Sequence, residues 1–539
     1  MTVREKLRSP AGWALLALFV LEFFLFDRFG AHHFTAIYPR WNDQIQYLGE
    51  AYAGHEYART HGLPAGLWHT LVNPSAQGTL HDFYATLAFA VVGPSRSAAL
   101  ALNLLAFIAW QTVLFLALVR MGTSRALAVA GAALPLALGG PWDDIPGSAY
   151  DFRLDHFALC TLGVTSALAL LTNGFRSRRW TLAFGAAVGL TLLTRFLTGT
   201  YFVLILAGSV GWLLVGSERK RRALNLAWAV LVAGLLAAPV FWINREWIWN
   251  YYWIGHYVGP ESTIRSQGFG LGPSLAFVWG QLAERHLGLF FGLLAVGGAI
   301  ALAATRRRQA HPSAPPAAML VFGALFLLSP ALVLTLHQQK SEVVVSALAP
   351  GVVLLVLAGW RAAARAGETS RSHRLVAAGL VLAAVAFFAQ RKLRPASSPE
   401  DLATFRQVTA LADTIYRRSQ AAALPESRVA VDYVTDALDA QVIRVVCYER
   451  HHVWLPFNIT LPTGIAEPSE EEVMARLALS DFVFLTEDAP AGGFPFDRKL
   501  AALRPKLRAW CDAHLRATER FTLFDRRMVL YQRREIPFP

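Results

Sequence analysis

The sequence predicts a polytopic α-helical membrane protein of about eleven transmembrane helices, with a C-terminal extracytoplasmic α/β domain. Three observations predict it. The 539 residues are 55% hydrophobic and their mean hydropathy is +0.38, more apolar than soluble chains of this size. Apolar runs recur from Trp13 to Ala389 and then stop. From residue 390 onward the chain carries 21 Lys/Arg and 20 Asp/Glu, a mixed and nearly neutral composition.

A run of about 20 apolar residues crosses a bilayer as a helix. By that rule the spans fall near 12–27, 98–119, 126–140, 157–172, 181–194, 197–216, 223–243, 286–305, 317–336, 343–360 and 375–389. The shorter runs 82–92 and 272–283 are expected to lie at the interface or dip into it. The turns after the even-numbered spans, such as Glu218-Arg219-Lys220-Arg221-Arg222, hold several-fold more Lys and Arg per residue than the odd-numbered loops, including the long loops 28–97 and 244–285. Positive charge stays on the cytoplasmic side, so the N-terminus is expected inside and the tail outside. Arg4, Lys6 and Arg8 precede Trp13–Phe26 as in a signal peptide, but no clean small-residue cleavage site follows. The segment reads as an uncleaved anchor.

The domain boundary is expected at 390, giving 1–390 as the membrane part and 391–539 as the tail domain. Helix patterns near 400–420, 470–479 and 497–516 alternate with β-rich runs Arg428–Val434, Gln441–Tyr448, Asp481–Glu487 and Met528–Gln532. The formal net charge of +13 belongs to the cytoplasmic turns, so it does not argue for nucleic acid. Of three cysteines, Cys160 lies in a span, and Cys447 and Cys511 lie in the tail, where a disulfide is left open.

Two acidic clusters carry the functional signal. Carboxylates are costly near lipid, so a membrane protein that gathers them at one face uses them. Asp43 lies in Trp41-Asn42-Asp43-Gln44 among aromatics that include Tyr47. A carboxylate there can take a proton from a hydroxyl while rings shelve a sugar; its plain alternative is a helix-capping acid. The second cluster holds Asp143, Asp144, Asp151 and Asp155, the last at the edge of the run Phe157–Leu171. Asp155 and Asp151 are candidates for catalysis or substrate orientation, and helix capping with Arg153 as ion-pair partner is the alternative. A divalent metal on Asp43 and Asp155 is left open, with no metal motif to require it.

Arg195 interrupts the run Thr181–Val215, which is too long for one span and should turn there. A cation at that boundary suits a lipid phosphate. Lys340, in the polar island His337–Glu342, suits one too. Arg245, Arg265, His256 and Tyr257 lie among the aromatics after the seventh span, the first two as further phosphate cations and the last two as shelves. They either cap a substrate cavity or line the interface. Glu22, inside the first span, is a functional candidate or a partner for a neighbouring polar residue.

The order of these signals resembles the GT-C superfamily of polyprenyl-phosphate-sugar glycosyltransferases, among them protein O-mannosyltransferases and the lipid A aminoarabinose transferase. The resemblance rests on the early acid Asp43, the second acid before the fourth span, Gly-Leu-Thr-Leu-Leu-Thr-Arg-Phe at 189–196, Gln339-Lys340-Ser341 ahead of Pro350, and a first-loop helix at His81–Gly93. It covers roughly residues 1–390. Two features depart from the family: Gln44 stands where a second adjacent acid is usual, and no Lys-Tyr or Arg-Tyr pair surrounds Lys340. The resemblance implies an inverting transfer from a polyprenyl-phosphate-linked sugar donor to a lipid, glycan or protein acceptor. Asp43 would be the base, Arg195 and Lys340 would hold the phosphate, and Asp155 would orient a substrate. The alternatives are a lipid or glycan transporter or flippase, and a cell-surface glycan polymerase or ligase. Alanine-, arginine- and leucine-rich usage suits a bacterium with a GC-rich genome, which points to the inner (plasma) membrane.

Overall fold

The structure is a computed structural model. It describes residues 10–39, 42–215, 217–258, 270–304, 317–364, 371–393, 397–424, 427–432, 438, 440–454, 469–487, 498–523 and 526–536. In chain order the first helices are α1 (Pro10–His33), α2 (Asn42–His61), α3 (Leu63–Val72), α4 (Leu80–Val92), α5 (Arg96–Arg120) and α6 (Arg125–Ala133). Next come α7 (Leu154–Leu171), α8 (Arg178–Thr194), α9 (Thr198–Val215), α10 (Arg219–Val258), α11 (Leu271–Ala304), α12 (Ala317–Leu336), α13 (Val343–Ala364) and α14 (Arg371–Lys392). The tail adds α15 (Pro399–Ala421), α16 (Ala440–His451), α17 (Glu470–Ala478) and α18 (Arg498–His514). Its strands are β1 (Val429–Val431), β2 (Phe482–Thr486), β3 (Leu515–Leu523) and β4 (Arg526–Arg533).

Among the described residues, eight helices are long and apolar enough to cross a membrane: α5, α7 and α9 to α14. The protein is multi-pass. Several expected spans take another form. The run 126–140 is helical only to Ala133, because Pro135 turns the chain into a 3₁₀ segment, Leu134–Ala137. The run 181–194 lies in α8, which has 17 residues. The run 272–283 is not a separate interfacial helix. It joins the next span through a π turn, Leu282–Leu287, to make the 34-residue α11. Nor is 244–258 a loop, since α10 continues through Trp249–Val258 as a π helix and reaches 40 residues. The run 82–92 forms α4, whose 13 residues are too short to span.

Contacts divide the chain into two compact units. The first holds Met1–Phe29, Trp68–Tyr84 and Leu100–Arg394. It is a helical assembly in which α8 lies along α10, α12 along α13, and α7 along α8. Small residues permit this closeness: a side chain on Gly185 would meet the backbone of Ala229. Inside it, Glu22 of α1 is buried and accepts a hydrogen bond from Gln111 of α5 at 2.9 Å. This is the pairing an acid among apolar helices requires.

The second unit holds Gly30–Leu67, Ala85–Ala99 and Pro395–Pro539. Its sheet has the order β1-β2-β4-β3, with β1 parallel to β2 and the other pairs antiparallel. Val483, Leu485, Val529 and Tyr531 on the sheet pack against Val473 and Leu477 of α17 and Leu507 and Cys511 of α18. Side-chain caps mark two of the helix starts. Ser398 caps α15 ahead of Pro399, and Ser469 caps α17 ahead of three glutamates. The run Gln441–Tyr448, expected as a strand, is instead the helix α16. Its apolar residues Val442, Ile443, Val446 and Cys447 also fit helical spacing, and all are buried. Strand β3 escaped the sequence pattern because most of its residues are exposed at the sheet edge. Cys447 and Cys511 are free thiols.

The buried Asp432 carboxylate pairs with Arg504 at 2.6 Å and accepts from the Thr486 hydroxyl at 2.9 Å. Asp432→Ala leaves a buried guanidinium uncompensated. It should destabilise the tail fold by about 3–5 kcal/mol, measured as a lowered thermal midpoint against wild type.

Candidate active site

In the first unit Asp155 meets a break between two helices. Helix α8 ends at Thr194, Arg195 is extended, and α9 begins at Thr198. Thr198 supports the break by donating its hydroxyl to the Arg195 carbonyl at 2.8 Å. The strand-like segment 77–79 runs along it: Phe196 N–H donates to the Gln77 carbonyl at 2.7 Å, and Thr79 N–H to the Leu193 carbonyl at 2.9 Å. Gly78 is required there, since any side chain would collide with the Thr194 carbonyl.

Asp155 stands in the first turn of α7 and is 2% exposed. The Arg195 guanidinium reaches its Oδ1 at 2.5 Å, and the Arg153 Nε lies 3.5 Å from its Oδ2. Neither carboxylate oxygen accepts an aligned hydrogen bond among the described residues. The pair borders a small cavity with Leu162, Thr198, Tyr201 and Ser346. Asp155 thus sits between two guanidinium groups, and no cluster of three or more His, Cys, Asp or Glu fit to hold a metal occurs among the described residues. A carboxylate faced by two cations is a poor ligand for a divalent ion.

An apolar groove leads away from the same break. It lies between α8, α9 and α10 and encloses about 1100 Å³, including its open side. Leu192 and Gly199, on either side of Arg195 in the chain, line it with Phe184, Val188, Phe202 and Phe241. Ser209 is the one hydroxyl-bearing residue in its wall.

The other expected residues of this unit hold local partners. Asp151 is fully buried, and its Oδ2 accepts the Gly147 N–H at 2.7 Å, which fixes a left-handed turn. Lys340 donates to the carbonyls of Leu334, Thr335 and His337 at 3.0, 2.8 and 2.6 Å, capping α12; burial lowers its pKa. Arg245 turns back on α10, donating to the Trp242 carbonyl and pairing with Glu246 at 3.3 Å. His256 and Tyr257 pack edge-on against His337. Arg265 lies outside the described residues.

Two groups in this unit have no sequence signal of the kind used above. Arg285 lies in the π turn of α11, 3.6 Å from Glu342, and donates to the Pro146 carbonyl. Asp82 is buried in the first turn of α4. A π turn inside an apolar span is the structural mark of such a site, and it becomes visible only once the helix has formed.

In the second unit, Asp43 is half-buried in the first turn of α2, where the helix dipole favours an acid. Tyr47, one turn on, is buried. Trp41 lies outside the described residues. The elements around α2 meet at Arg96, which is 5% exposed and donates to the carbonyls of Phe34 and Ile37 and to Glu449 of α16. Burial raises the Glu449 pKa, and Arg96 opposes the rise.

The described residues form a polytopic helical membrane protein with a small C-terminal sheet, an architecture with solved counterparts. Two crystal structures of ArnT from Cupriavidus metallidurans share that architecture at TM-score 0.58 and 15% identity. The alignment to the apo state covers 96% of this chain and 97% of ArnT; that to the form bound to undecaprenyl phosphate covers 98% and 100%. The archaeal oligosaccharyltransferase AglB from Archaeoglobus fulgidus, in complex with an inhibitory peptide and a dolichol-phosphate, matches at TM-score 0.46 and 14% identity over 88% of this chain and 69% of that one. No family model matches the sequence, and no curated protein does.

The Asp155–Arg195 contact predicts strong coupling. In a double-mutant cycle of Asp155→Asn and Arg195→Gln, unfolding in detergent should show a coupling of about 1–3 kcal/mol. Additive effects would mean that the two side chains do not support each other.

Proposed function

We propose that the protein is an inverting glycosyltransferase that moves a sugar from a polyprenyl phosphate to an acceptor hydroxyl. The observations that carry this reading are the Asp155–Arg195 ion pair and the apolar groove whose lining residues Leu192 and Gly199 flank Arg195 in the chain. A polyprenyl phosphate has the same two parts, an isoprenoid chain and an anionic head. The groove suits the chain, since its wall excludes water and offers almost no polar group. Arg195 suits the phosphate, because a guanidinium presents several donors and keeps its charge when partly buried.

In the proposed reaction the acceptor oxygen attacks the anomeric carbon from the face opposite the phosphate. The bond from that carbon to the phosphate oxygen breaks, and the electron pair leaves with the polyprenyl phosphate. Arg195 stabilises the growing negative charge, held in place by Asp155. Asp43 takes the acceptor proton. Arg153 and Arg285 are nearer the requirements of a second phosphate cation than Lys340 or Arg245, whose donors are spent on their own helices. Asp151 supports the turn before α7 rather than the chemistry. No step is routed through a metal. The donor is taken up on the extracytoplasmic side, with the tail domain facing that side of a bacterial inner membrane.

The test is turnover of a panel of radiolabelled polyprenyl-phosphate sugars by the purified protein, with membrane extract supplying acceptors. Asp43→Asn should lower kcat by about 10²–10⁴-fold, the range for loss of a positioned base, with the fold intact. Arg195→Gln should lower kcat/KM for the donor by a comparable factor. Full activity in Asp43→Asn would sink the base assignment. Donor binding without turnover on any acceptor would move the protein to the flippase class.

A further inference from the structure

We propose that Glu449, in the tail, is a positioning residue for Asp43, some 400 residues earlier in the chain. The proposal rests on the reading of Asp43 as the base. All the groups it invokes belong to the second unit.

Arg96 is the hub. One of its terminal nitrogens donates to the carbonyls of Phe34 and Ile37 at 2.9 and 2.5 Å, and the other to that of Thr35 at 3.3 Å. These three carbonyls lie in and just after the turn that ends α1. The Arg96 Nε donates to Glu449 at 3.0 Å. The other oxygen of Glu449 accepts from the Tyr52 hydroxyl at 2.9 Å. Tyr52 lies on α2, nine residues beyond Asp43, and is fully buried against Tyr448 and Phe89. One carboxylate therefore ties the turn after α1, six to nine residues before Asp43, to the body of α2: the first through Arg96 and the second through Tyr52.

Helix α16 reinforces the same grip. The Tyr448 hydroxyl lies 2.9 Å from His55 and 3.4 Å from Glu56, both on α2. Gly49 of α2 sits so close to Arg444 that an added Cβ would come within 3.2 Å of its guanidinium. A buried carboxylate is expensive unless fully paired. Most helical stability in proteins comes from tertiary packing rather than from the helix itself. Glu449 is worth its burial when its partners are groups whose position matters. A base displaced by about 1 Å can lose on the order of 10²-fold in rate, so fixing α2 from both sides is a direct route to catalytic geometry.

The full-length protein in detergent, with Glu449→Gln and the milder Tyr52→Phe, provides the test. Hydrogen exchange in peptides covering 34–48 should quicken in both variants, while peptides covering 154–200 stay as in wild type. Donor kcat should fall about 10–100-fold in Glu449→Gln, with donor KM within twofold. A residue that only stabilises the fold would instead raise donor KM together with the loss of kcat, or quicken exchange everywhere. Unchanged exchange at 34–48 would overturn the proposal, as would unchanged kcat in Glu449→Gln alongside an inactive Asp43→Asn. Full activity in Asp43→Asn would remove the base reading, and the positioning role with it, whatever Glu449→Gln does.

Discussion

Burying a carboxylate and a guanidinium together at the head of an apolar helix is the constraint from which the membrane unit follows. Each ion alone would cost several kcal/mol of lost hydration. Asp155 and Arg195 escape that cost only by meeting each other, 40 residues apart in sequence, at 2.5 Å. Their meeting requires α7 to begin beside the point where α8 stops. It requires α8 to stop at Thr194, although the apolar run continues, so the broken helix and the ion pair are one feature. Gly78 then lets the segment 77–79 close over the break and satisfy backbone groups that a broken helix leaves open. Leu192 and Gly199, to either side of Arg195 in sequence, line the apolar groove between α8, α9 and α10.

The second unit solves a related problem with different parts. The segments Gly30–Leu67 and Ala85–Ala99 are surrounded in sequence by membrane helices, yet their contacts lie with the tail. Arg96 supplies the chemistry for this arrangement. A planar guanidinium with five donors can bind three carbonyls and a carboxylate at once, which lysine could not do. Helix α16 meets it with Glu449, and the sheet behind holds α15 through Arg418, which donates to Thr518, Gln532 and Glu519.

The expected cations and acids differ in the partners they already hold. Lys340 is spent on helix carbonyls, Asp151 on a turn, and Arg245 on its own helix. Arg195 differs because its partner, Asp155, has carboxylate oxygens without aligned hydrogen bonds and a cavity beside it. Side-chain type alone could not rank these residues, since all of them are charged groups at the ends of apolar runs.

The sequence by itself determined that the chain is multi-pass, that its apolar runs end near residue 390, and that the long run 181–215 must turn at Arg195. These follow from hydropathy and charge, which act locally and are written directly in the residue order. The helix patterns near 400–420 and 470–479 were legible for the same reason, because amphipathic spacing acts within a few turns. Tertiary structure decided the rest. It set α16 as a helix where β-branched residues suggested a strand, because packing outweighs propensity. It ran α10 through Val258 and joined 272–283 to α11, since polar and aromatic residues do not by themselves end a helix. It paired Asp155 with Arg195 and Arg96 with Glu449, contacts between distant residues that no local pattern encodes. Long-range pairing depends on where helices cross, and only the folded chain fixes the crossings.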